Sequence, residues 1–151
     1  VVRLLNNYLG TMADILLGFQ GTIDEFIGDA ILAIFGAPVQ REDDALRAVA
    51  CAVEMQRVLA RYNKKRIPSE KVLLCVGIGY GDLLRIGDLD VFGAEVNAAS
   101  KLGEDVAKAG EILVTTSARE AVEGLKGVTF APVEVTLPGS TGAFRVGYRS
   151  R

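Results

Sequence analysis

Histidine is absent from the 151 residues. That omission excludes every mechanism built on an imidazole: Ser-His-Asp triads, Cys-His pairs, histidine metal sites and histidine proton shuttles. Cysteine is scarce. Cys51 and Cys75 alone cannot complete a tetrahedral zinc site. Both stand in apolar runs (Ala50-Cys51-Ala52-Val53 and Leu73-Leu74-Cys75-Val76), so they read as small buried hydrophobes in a reducing compartment. An excess of basic charge is missing too. Seventeen basic against 19 acidic residues leave −2, which argues against a nucleic-acid partner and leaves room for a local phosphate pocket. No apolar run reaches about 18 residues, so no direct membrane insertion is expected, and no signal peptide opens the chain. It starts at Val1-Val2-Arg3 without methionine, which reads as an excised piece or a processed product.

Half of the residues are hydrophobic and 24% charged, the balance of a single globular domain of this length. Val1, Leu4, Leu5, Tyr8, Leu9, Met12, Ile15, Leu16 and Phe19 recur at helical spacing, which predicts a helix over residues 1–19, stopped by Gln20-Gly21. Two strand-like runs, Thr22 to Ile27 and Ala30 to Phe35, joined by Gly28-Asp29, predict a tight hairpin. Asp43 and Asp44 open a second helix whose buried face is Ala45, Ala48, Val49, Ala52, Val53, Met55 and Leu59. Val72 to Gly79 reads as a central strand with Leu83 to Ile86 beside it. A helix over Gly93–Ala107, a strand over Ile112–Val114, a short helix over Ser117–Val122 and two further strands, Val128–Leu137 and Ala143–Tyr148, complete the pattern. Residues 1–151 form one α+β domain with a mainly antiparallel sheet and helices packed against one sheet face.

Gly77-Ile78-Gly79-Tyr80-Gly81-Asp82 fails the dinucleotide-loop pattern, because Asp82 stands where the third glycine belongs. Glycines in a strand instead allow another segment close approach. Gly28-Asp29 is in isolation a turn. A carboxylate on so tight a hairpin is also held rigidly enough to ligate magnesium.

The string Gly21-Thr22-Ile23-Asp24-Glu25-Phe26-Ile27-Gly28-Asp29-Ala30-Ile31-Leu32-Ala33-Ile34-Phe35-Gly36-Ala37-Pro38 resembles the central hairpin of the class III adenylate and guanylate cyclase catalytic domain. Asp44-Ala45-Leu46-Arg47-Ala48-Val49 is similar to the start of that family's next helix. Asp90-Val91-Phe92-Gly93-Ala94-Glu95-Val96-Asn97-Ala98-Ala99-Ser100-Lys101-Leu102 is similar to its strand-to-helix substrate motif. The resemblance covers nearly the whole chain in the correct order and implies the ferredoxin-like cyclase fold. It also implies two-metal cyclisation of a nucleoside triphosphate, with Mg²⁺ or Mn²⁺, at the interface of a homodimer.

Carried over by position, Asp29 matches the second metal-binding aspartate. The first belongs to a strand ahead of the opening helix, and this chain is expected to begin after it, with Asp14 and Asp24 poor substitutes. Asp90 matches the acceptor for the adenine amino group. Glu25 stands where adenylate cyclases usually carry a purine-reading lysine, and glutamate there is the guanylate-type choice, so the two purine readers disagree. Asn97 matches the ribose-orienting asparagine, and Lys101 occupies the place of the transition-state arginine. Pro138 falls where the family often carries a phosphate-binding lysine. Without the resemblance, Asp90 reads as a loop or capping residue, Glu25 as a solvated strand residue and Lys101 as an exposed helix lysine. Two functions follow: a nucleotidyl cyclase, or a catalytically degenerate regulatory and dimerisation module that binds nucleotide. The family implies a cytoplasmic output domain fused to sensor or regulatory domains, with any membrane anchor elsewhere in the parent protein.

Overall fold

The computed structural model describes residues 2–4, 9–27, 30–36, 40–64, 66–68, 71–81, 84–86, 90–92, 94–135 and 142–149. Its elements are β1 (Val2–Leu4), α1 (Leu9–Gly18), β2 (Thr22–Ile27), β3 (Ala30–Ile34), α2 (Asp44–Asn63), β4 (Leu74–Ile78), β5 (Leu84–Ile86), β6 (Asp90–Phe92) and α3 (Ala94–Lys101). A π-helical turn (Leu102–Val106), β7 (Ile112–Thr115), α4 (Thr116–Ala121), β8 (Val128–Val133) and β9 (Ala143–Tyr148) follow. Seven strands form one sheet in the order β2-β3-β1-β4-β7-β9-β8, while β5 and β6 pair as a separate ribbon. Every described pairing is antiparallel except β4 with β7. The α+β class and mainly antiparallel sheet read from the sequence are therefore observed.

Three expectations are corrected. Residues 1–19 are not one helix: Val2–Leu4 form a strand between β3 and β4, pairing Val2 with Ile31 and Val76. The apolar spacing of Val1, Leu4 and Leu5 fits either period. Cross-strand partners on both sides favour the extended form, and the helix begins only at Leu9. Among the described residues Leu84–Ile86 pairs not with β4 but with Asp90–Phe92. The helices do not share one sheet face either.

The reason lies in β4 and β7. Along β7 all four residues are buried, which a strand achieves only between two layers. Ile112 and Val114 join a core with Met12 and Leu16 of α1, Val49, Val53, Met55 and Leu59 of α2, Ala118 of α4 and Val122 just after it. Leu113 faces the other way, packing with Ala98, Leu102 and Ala143. Each buried Leu or Ile here contributes about 1.5–3 kcal/mol. Cys51 belongs to the first core; burial pushes its thiol up to about 12, and it acts as a hydrophobe. Cys75 is half-buried rather than buried as expected, and the two cysteines are not joined in a disulfide.

The β2–β3 hairpin stands at one end of the sheet rather than at its centre. Its register brings Ile27 opposite Ala30, and it slips at Asp24, a bulge suited to an edge strand. At the opposite edge β8 carries Pro132, which removes a ladder donor where none is needed. Arg47 ties α1 to α2: it donates to the Phe19 carbonyl at 2.7 Å, to Asp43 at 3.0 Å and to Asp44. The bond from the Arg47 guanidinium holds the Asp43 carboxyl below its usual range.

Candidate functional site

Helix α3 lies on the sheet face opposite α1 and α2, and glycines make that approach possible. A Cβ at Gly77 would collide with the Ala99 carbonyl and the Gly103 amide, and one at Gly79 would stand 2.5 Å from the Glu95 carbonyl. These are backbone atoms of a packed helix, so they have little room to yield. Strand glycines here do what the sequence reading assigned them. The inner side of the helix is Ala98, Ala99 and Leu102, all buried. Ala94, Asn97 and Lys101, three and four apart, form one exposed stripe. After Lys101 the helix widens into the π turn, closed by the Ala107 amide on the Leu102 carbonyl at 2.7 Å. That extra residue per turn keeps both Leu102 and Gly103 against the sheet.

Glu95 pins the start of this helix. Its Oε1 accepts a hydrogen bond from the Tyr80 amide at 3.0 Å and from the Thr115 hydroxyl at 2.6 Å. Thr115 in turn accepts from the Ala118 amide at 3.2 Å, capping α4. One carboxylate thus joins the end of β4, the end of β7 and the helix carrying Asn97 and Lys101. The sequence gives Glu95 only as an acidic residue in a first helical turn. Its partners lie 15 and 20 residues away, and no local pattern points to them. Glu95→Ala should remove both bonds and leave the fully buried Thr115 hydroxyl without its acceptor. Urea denaturation should show a loss of about 2–3 kcal/mol, with Glu95→Gln, which keeps the acceptor oxygen, recovering much of it.

The other expected site residues are scattered. Asp90 opens β6 opposite Ile86, four positions ahead of α3. Glu25 sits on edge strand β2, paired with Leu32. Strand β2 is three strand spacings, about 14 Å, from β4, over which α3 packs. The described elements therefore bring Asn97 and Lys101 together and do not bring Glu25 to them. Asp29 and Pro138 lie outside the described residues. Asp14 is exposed on α1. Both carboxylate oxygens of Asp24 are buried with no hydrogen-bond partner. Among the described residues no three acidic, cysteine or histidine side chains stand close enough to hold a metal ion, and strand β1 is free of carboxylates. The described part of the chain does not by itself fit a two-metal site.

A cavity of about 950 Å³ is lined by residues of β3, α2, β4, α3 and α4 and their flanks, among them Gly36, Asp44, Tyr80, Gly81, Glu95 and Glu120. Neither Asn97 nor Lys101 lines it. Their stripe faces outward.

The sequence pattern of the adenylate and guanylate cyclase catalytic domain matches residues 1–143. A putative adenylate cyclase 3 of Rhizobium meliloti (strain 1021) is 31% identical over 111 residues, covering 74% of this chain. The chain spans 17% of that relative's length. The crystal structure of the adenylyl cyclase CyaB from P. aeruginosa superposes with a TM-score of 0.78 at 26% identity, covering 97% of this chain and 81% of that one. That of the guanylyl cyclase Cya2 superposes at 0.71 with 31% identity, covering 93% and 77%.

Proposed function

This chain belongs to the class III adenylate and guanylate cyclase catalytic domain family, and from that membership we propose that it cyclises a nucleoside triphosphate, ATP ahead of GTP. The 3′-oxygen of the ribose bonds to the α-phosphorus, the bond to the bridging oxygen breaks, and pyrophosphate leaves. The observation that carries this reading is the outward stripe of α3. An amide and an ammonium stand one turn apart on a helix pinned by Glu95 and seated on glycines. Asn97 orients the ribose by hydrogen bonding. Lys101 places positive charge where negative charge develops on the phosphate. Asp90 accepts from the adenine amino group.

The stripe faces outward, and the hairpin bearing Glu25 and leading to Asp29 lies at the far edge of the sheet. A second copy presenting its hairpin to α3 would close the site, which supports a homodimer. The family's use of divalent metals supports Mg²⁺ or Mn²⁺ as cofactor, with Asp29 the ligand this chain contributes. Among the described residues no helix is long and apolar enough to cross a membrane; we place the domain in the cytoplasm as the output of a larger signalling protein that carries sensor or regulatory domains. Lys101 in the arginine position favours a second reading, a degenerate regulatory and dimerisation module that binds nucleotide.

One assay separates the two. The full-length polypeptide, given ATP or GTP with magnesium or manganese, should form the cyclic nucleotide, measured chromatographically. Asp29→Ala should abolish product while leaving the circular dichroism spectrum unchanged. The 151-residue chain alone should form little or none, since among its described residues no acidic cluster could hold a metal ion. Failure of the full-length protein to cyclise either nucleotide would leave the regulatory reading standing.

A further inference from the structure

Charge is distributed very unevenly along this acidic chain. Residues 57–71 hold six basic residues (Arg57, Arg61, Lys64, Lys65, Arg66 and Lys71) against one acid, Glu70, a balance of +5. The remainder has eleven basic and eighteen acidic residues, a balance of −7. The fold gathers the described cations of this stretch, Arg57, Arg61, Lys64, Arg66 and Lys71, at one pole. Asn63, at the end of α2, exchanges hydrogen bonds with Val72 just ahead of β4, at 2.7 and 2.8 Å. Arg57 donates to the Arg149 carbonyl at 2.8 Å, which brings the end of β9 alongside. Leu73, Ala109, Gly110 and Tyr148 line one small pocket there, so Lys108 joins the same pole.

The acids at this pole neutralise little of it. Glu54 stands 3.7 Å from Arg61, and Glu111 accepts from the Lys108 amide while lying 3.6 Å from Arg145. Arg66 is held over the Tyr62 ring at 3.5 Å and donates to the Tyr62 carbonyl. Lys64, Arg66 and Lys71 are exposed. Among them stand two large apolar side chains that a solvated charge run does not require: Ile67, 60% exposed, and Leu73, 40% exposed.

We propose that this pole docks the domain on an anionic bilayer surface, the cations over acidic headgroups and Ile67 against the interfacial layer. A bilayer supplies both of the chemistries displayed, negative charge and an apolar boundary. An acidic polypeptide or nucleic acid answers the charge and leaves Ile67 unexplained. The orientation is also productive. Asp44, at the other end of α2, lines the large cavity with Tyr80 and Glu95, and a 20-residue helix separates the two ends by about 30 Å. A domain resting on this pole keeps α3 clear of the membrane.

The test is co-sedimentation of the 151-residue chain with vesicles of phosphatidylcholine alone or mixed with phosphatidylserine, at low and high salt. Binding should appear only with phosphatidylserine and fall with salt. Lys64→Glu, Arg66→Glu and Lys71→Glu combined should weaken it by about 100-fold or more, since each cation near an anionic leaflet strengthens partition roughly fivefold. Ile67→Ser should weaken it by roughly threefold to tenfold. All four side chains are exposed, so thermal melts should match the unmodified chain. Equal sedimentation with both vesicle compositions, or none, would overturn the proposal. So would binding to polyglutamate or DNA as tight as to vesicles with Ile67→Ser silent, which would assign the pole to an acidic macromolecule. None of these outcomes depends on cyclase activity.

Discussion

Lys101→Arg in the full-length protein should raise kcat for cyclisation by about 10²–10³ with little change in KM. Lys101 ends α3 on its exposed stripe, so the substitution meets no packing constraint and should leave the melting temperature unchanged. An ammonium offers a compact charge. A guanidinium offers two parallel N–H donors in a plane that matches two phosphate oxygens. The oxygens on the α-phosphorus gain charge as the bond to pyrophosphate breaks, so the added donor is felt in the transition state more than in the ground state. Its effect therefore belongs in kcat. The π turn that follows anchors the helix through Leu102 and Gly103, which holds the Cα of residue 101 in place for either side chain. Steady-state kinetics with ATP checks this. A rate unchanged within twofold would mean that residue 101 does not face the transferring phosphate.

The second large effect concerns purine choice. Asp90→Ala should lower the ratio of kcat/KM for ATP over GTP by roughly one to two orders of magnitude, because the adenine amino group loses its acceptor and an unsatisfied buried donor costs about 1–3 kcal/mol. Glu25→Lys should raise activity with ATP, since lysine donates to adenine N1 where an ionised glutamate offers nothing. Competition assays with both nucleotides decide between the two positions. If the unmodified enzyme turns over GTP faster and Glu25→Lys reverses that preference, Glu25 is the dominant reader and Asp90 is not.

The elements most legible in the sequence were those whose signal is local. The hairpin of Thr22–Ile27 and Ala30–Ile34 announces itself by two β-rich runs around Gly28-Asp29. Helix α2 does so by an apolar stripe that the structure buries at Val49, Ala52, Val53, Met55 and Leu59. Strand β1 was not legible, because three residues carry no period of their own and the neighbours Ile31 and Val76 decide their conformation. The second helical layer was hidden for a different reason. The face of β4 that receives α3 is built from glycines, which have no hydropathy to read, and only the built structure shows Ala99 and Gly103 resting on Gly77. The motif pointed to Asn97 and Lys101, and the structure places both on the exposed stripe of α3. Glu95 was not, since its role depends on where Tyr80 and Thr115 come to rest.

The detached ribbon of β5 and β6 bears on how such a domain changes over generations. Asp90 stands on a two-stranded element whose ladder, among the described residues, joins no strand of the seven-stranded sheet. A replacement at that position is not passed along the register that aligns β4, β7 and β9. If Asp90 reads the base as proposed, exchange there should alter base preference without compensating changes in the core. The helix carrying Asn97 and Lys101 has no such freedom: Glu95 ties α3 to Tyr80 and Thr115, and glycine backbone lies beneath it. A substitution at Asp90 should leave the geometry of the stripe carrying Asn97 the same.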